Sequence, residues 1–112
     1  MYPLVFHKTL SAEKWFSYPR HQQLLMIANE MNRAQNALLK NDPENAIHAW
    51  ERCFELTDLT INDPKNVRMM KELLRFRELT GELFLNPDVP YNKFLMDTLI
   101  SLDPLAYNSL MA

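Results

Sequence analysis

The chain has 112 residues, a length that suits one domain with a modest core. Hydrophobic residues make up 47% and charged residues 23%, with a single glycine, a composition that favours helix over sheet. The net charge of −2 argues against a broad basic nucleic-acid surface, and the lone cysteine excludes an intramolecular disulfide and a cysteine-rich zinc site.

No stretch has the pattern of a signal peptide or a membrane span, so the expected location is the cytoplasm. Residues 1–18 read as an apolar, aromatic arm. Tyr2, Leu4, Val5 and Phe6 lead into Ser11 to Lys14, which can start a turn or two of helix, and Trp15, Phe16 and Tyr18 follow. That aromatic density predicts burial, either back over the chain's own bundle or against a partner.

Pro19 opens a first long helix that runs to about Asn41, with Leu24, Ile27, Ala28, Met31, Ala34, Gln35, Leu38 and Leu39 on its inward arc. The Asn41-Asp42-Pro43 tripeptide closes it, because a residue before proline avoids the helical region. Asp42 then caps a middle helix, Pro43 suits its first position, and Glu44 lies in the positive first turn. Spacing residues at about 100° gives this helix a broad apolar arc containing Ala46, Ile47, Trp50, Cys53, Phe54, Leu56, Thr57 and Ile61, with Leu59 opposite. A helix apolar over half its circumference needs neighbours on two sides. Asn62-Asp63-Pro64 repeats the turn chemistry and starts a third helix to about Leu85, whose arc holds Val67, Met70, Leu73, Leu74, Phe76, Leu83 and Phe84. Gly81 inside it either permits a close helix contact or weakens the last turn. A proline-rich break leads to a shorter helix over residues 90–102, and Asp103-Pro104 ends that. The expected fold is therefore all-α, one domain over residues 1–112. It is an up-down helical bundle with an antiparallel three-helix core over residues 19–85, the shorter fourth helix and the arm packed on it.

Arg77 projects into the apolar arc of the third helix, where a charge needs a partner. Antiparallel pairing across the two turns places Arg77 level with Glu51, and Glu51 level with Gln35. The expectation is a polar layer of Gln35, Glu51 and Arg77, serving either as a register-setting ion pair or as a ligand-binding or catalytic site in a bundle crevice. A second candidate is a surface. Leu25, Met26 and Leu59 point away from the three-helix core and, with Trp15 and Phe16, form a candidate interface, unless the arm or the last helix covers them. Metal chemistry has little support. Helix-borne di-iron sites need Glu-x-x-His on two helices, and here Glu44 and His48 are spaced four apart while His48 to Glu51 runs in the reverse order. No metal and no cofactor are expected. Cys53, in the apolar arc, reads as a buried inert thiol.

Residues 38–56 resemble one tetratricopeptide-type helix turn, with alanine and aromatic positions in the second helix. The helix lengths, the short turns and the phrase ENAIHAWER at residues 44–52 resemble the helical bundles of the HEPN and nucleotidyltransferase-partner group, over residues 19–85. Ribonucleases of that group carry Arg, then four to six residues, then His. Here Arg20 and His21 are adjacent and no histidine follows His48. The resemblance thus implies the non-nuclease, partner-binding type. The function expected is a small non-enzymatic cytoplasmic interaction module that self-associates or binds a protein partner, with no nucleic acid and no membrane. The alternatives are a ligand-binding or catalytic bundle using the Gln35, Glu51 and Arg77 layer, and a tetratricopeptide-like adaptor.

Overall fold

Helices separated by proline turns give this chain its frame. The computed structural model describes residues 11–111, the side chains of 109–111 excepted, so the expectations for Tyr2, Leu4, Val5 and Phe6 lie outside the described residues. Within that range every regular element is helical: α1 (Ala12–Ser17), α2 (Arg20–Leu39), α3 (Pro43–Asn62), a 3-10 segment (Pro64–Met69), α4 (Met70–Leu85), α5 (Val89–Ile100) and α6 (Pro104–Met111). The starts follow the capping chemistry. The Ser11 hydroxyl accepts from the Lys14 N–H, Asp42 accepts from Asn45, and Asp88 accepts from Tyr91. Pro43 and Pro90 sit in the first turns of α3 and α5, where a missing N–H costs nothing.

The fold is all-α, and α3 does pack between α2 and α4. The fourth helix is more than an accessory to a three-helix core, however. α5 packs against both α4 and α2, so α2, α3, α4 and α5 close into a ring. Leu95, Leu99 and Ile100 of α5 share one buried cluster with Leu24, Met31, Trp50, Leu73 and Phe76. A solenoid unit touches only its sequence neighbours, whereas here the last long helix returns to the first. α1 lies on α3, and α6 packs against α2 and α5. α3 therefore has three helical neighbours rather than two. Leu59, expected to face outward, is only 1% exposed.

The twin Asn-Asp-Pro tripeptides make different turns. At the end of α2, Asn41 takes a left-handed conformation (φ 57°), which asparagine tolerates better than most residues. The Asp42 N–H then donates to the Ala37 carbonyl at 2.8 Å, and the Asn41 N–H to Leu38 at 3.1 Å. This pairing is the Schellman pattern, and it folds α3 tightly back on α2. After α3, Asp63 is extended, and Pro64 begins the 3-10 segment instead of an α-helix. A 3-10 segment advances about 2.0 Å per residue and turns faster than an α-helix. It lengthens the second connection and rotates α4 relative to the straight helix expected from Pro64 onward. Val67, Met70 and Leu74, placed on the inward arc from sequence, are 62%, 39% and 51% exposed.

Candidate functional site

The Gln35, Glu51 and Arg77 layer does not assemble. Arg77 donates from Nε to Asp58 Oδ1 at 3.0 Å, and its guanidinium stacks 4.1 Å from the centre of the Phe54 ring. Phe54 in turn meets Trp50 and Phe84, so Arg77 covers the outer edge of an aromatic row. The partner has moved from Glu51 to Asp58, about two helical turns, because the 3-10 segment shifts the α3–α4 register. Gln35 and Trp50 line one small cavity, with Leu83 and Asn92, of about 20 Å³. Asn92 Oδ1 is the buried side-chain polar atom without a protein partner among the described residues. That volume suits one water molecule and nothing larger.

The candidate interface residues are also part of the fold. Trp15 and Leu59 are core, and Phe16, Leu25 and Met26 are partly buried against it. Trp15 is held through both its ring and its backbone. Its Nε1 donates to Thr60 Oγ1 at 3.1 Å, and its carbonyl accepts from Gln23 Nε2 at 3.0 Å. The described part of the aromatic arm thus covers its own bundle.

Two charged clusters go beyond the helical pattern. Glu30, which reads as a solvated or spaced-pair helix residue, makes the i,i+3 pair with Arg33 but is only 5% exposed and also bonds Arg52 of α3, each at 2.7 Å. At the other end of the bundle, Asn66 donates to Gln23 Oε1 and to the Thr60 carbonyl, and accepts from Arg20 Nε at 2.8 Å. Gln23 also donates to Asp63 Oδ2 at 2.9 Å, and Lys65 Nζ bonds both Asp63 and the Phe16 carbonyl. Burial alone would raise the Asp63 carboxyl; hydrogen bonds from Lys65 and Gln23 outweigh that and hold it below the usual range. These bonds tie α1, α2 and the 3-10 segment together. Cys53 is fully buried, and that burial pushes its thiol up to about 12, which leaves no thiolate for nucleophilic work at neutral pH. No group of three or more His, Cys, Asp and Glu side chains among the described residues could hold a metal ion. None of the described helices is long and apolar enough to cross a membrane.

A more open concavity lies elsewhere, between α4 and α5. It is an open groove of about 590 Å³. Phe76, Leu95 and Leu99 form its buried floor, and Leu79 and Leu102 its half-buried walls. Leu74, half exposed, stands at the lip, and Lys71, Glu72, Arg75, Glu78 and Thr98 make a polar rim. The ring topology creates the groove. α4 turns its Leu73, Phe76, Thr80 and Leu83 face to the core, which leaves Leu74 of the same helix at the surface. The sequence held a trace of this: Leu74 and Leu83 lie about 180° apart on a helical projection, too far to share one face.

Fold and site together define an all-helical ring bundle with an apolar, charge-rimmed groove between α4 and α5. Comparison with protein-family models, with curated proteins and with solved structures gives no match.

Proposed function

We propose that this chain is a small cytoplasmic protein-interaction module without catalysis of its own, and that the α4–α5 groove receives a helix from a protein partner. The groove carries the reading. An apolar floor between two helices, with a leucine at its lip and charges of both signs on its rim, matches helix-in-groove recognition. The resemblance to partner-binding helical bundles implies the same class of role.

The test places a photo-crosslinking amino acid at Thr98, on the groove rim, and at Lys40, on an exposed turn remote in sequence from the groove, in cells that make the protein. The expected outcome is one reproducible protein adduct from Thr98, mapping to a helical segment, and none from Lys40. An adduct of small-molecule mass at Thr98 would favour the ligand-binding alternative. No adduct at Thr98, or equal labelling at both positions, would remove the groove from consideration.

A further inference from the structure

We infer that the helix received by the groove is α4 of a second copy of this chain, packed antiparallel about a two-fold axis; the inference rests on the interaction-module reading above. The argument starts from α4 itself. On a helical projection, Leu74, Glu78, Lys71, Glu82 and Arg75 fall, in that angular order, within an arc of about 100° on the solvent side. All five are exposed. Along the chain the charges on this stripe divide by sign. Lys71 and Arg75 occupy its first half, and Glu78 and Glu82 its second half. Within one chain this division has little use: the Arg75–Glu78 pair is 3.8 Å long and well exposed, and such pairs contribute little.

Between two copies the division becomes a key. A two-fold axis level with the midpoint between Phe76 and Arg77 sets Arg75 opposite Glu78 of the second copy, and Lys71 opposite its Glu82. The same register sets Leu74 against Leu79 of the second copy, over the groove floor. It sets Glu72 opposite Gly81, where no like charge stands. It also brings Leu85, 74% exposed, beside the Val67–Arg68 step of the other copy, where Val67 is 62% exposed. One register therefore satisfies the charges and covers the exposed leucines at once. A two-fold contact must be self-complementary in this way, because each surface meets its own copy. An unrelated partner helix would place no such demand on the sign order of α4.

The test is charge reversal with rescue, read by sedimentation across the micromolar range. The wild-type chain should dimerise, and the dimer should weaken as salt rises. Lys71→Glu with Arg75→Glu, or Glu78→Lys with Glu82→Lys, sets like charges across the axis and should each weaken dimerisation at least about tenfold. Mixed in equal amounts, the two variants should recover a dimer, because each now complements the other. Circular dichroism of each variant checks that the helices remain. A wild-type monomer at every concentration would overturn the inference, as would a dimer indifferent to both reversals or a mixture that fails to recover. Crosslinking at Thr98 separates the two levels. An adduct to a different protein with a monomeric wild type sinks self-pairing and leaves the groove reading standing, whereas no adduct at all sinks both.

Discussion

At the scale of single residues, the polar positions depart most from their helical pattern. The need of Arg77 for a partner is legible in the sequence, because a guanidinium cannot lie among Phe54 and Phe84 unpaired. The identity of that partner is not legible, since it depends on a register set two turns away. Spacing pairs Glu30 with Arg33, but periodicity cannot show that a neighbouring helix will cover it and add Arg52. Asp63 carries a pH prediction. Its carboxyl is held below the ordinary range in the fold, so its stabilising contribution is full above the unfolded value of about 3.9. That contribution is lost as pH falls through the folded value. Urea midpoints measured between pH 7 and pH 3 should fall steeply below about pH 4, and Asp63→Asn should flatten the drop while costing about 1–3 kcal/mol at pH 7. An identical acid slope in the variant would count against this account. Gly81 gives a prediction of opposite sign. An added Cβ there would meet only Arg77 Nη1, at 3.9 Å, an ordinary contact. Gly81 is therefore not needed for a close helix approach, and Gly81→Ala should stabilise the chain by about 1 kcal/mol in thermal or urea melts. A destabilised variant would mean that α4 requires the glycine for another reason.

At the scale of elements, caps and prolines locate the helices well, because the signals are local and act within one turn. α2, α3 and α5 begin where proline and aspartate put them. The 3-10 segment is not legible: Asp63-Pro64 has the same start chemistry as Asp42-Pro43, and only Asn66, drawn in by Arg20, Gln23 and Thr60, distinguishes the two. Those are tertiary contacts, made with elements more than 40 residues away in sequence for Arg20 and Gln23. α1 shows the same dependence in reverse. A helix of six residues has no stability of its own, and Trp15 anchors it. Trp15→Phe keeps most of the buried ring but loses the bond to Thr60, and should cost about 1–2 kcal/mol. Trp15→Ala should cost about 3–5 kcal/mol and release α1. Denaturant melts rank the two, and hydrogen exchange at residues 12–18 shows whether α1 has come away. Equal, small losses would mean that α1 is held by something other than Trp15.

At the scale of the whole molecule, the all-α class comes from composition and pattern, while closure of the ring does not. The sequence shows which face of a helix is apolar, but a fourth helix can rest on a three-helix core or complete a ring with the same face. The groove inherits that ambiguity, since it exists only because α5 returns to α2 and stands beside α4. The return also means that α5 is held by packing on two sides, and its peptide link to α4 runs through the exposed residues Asn86, Pro87 and Asp88. The link is a tether, and the ring can outlive it. A protease site built between Asn86 and Pro87 and then cut should leave the two pieces eluting together with an unchanged helical spectrum. Their melting temperature should now rise with concentration, as for any complex of two chains. Pieces that separate on cutting would show that covalent connection, rather than packing, holds α5 in place. If they stay together, this single chain is already divisible into a receptor and its own ligand.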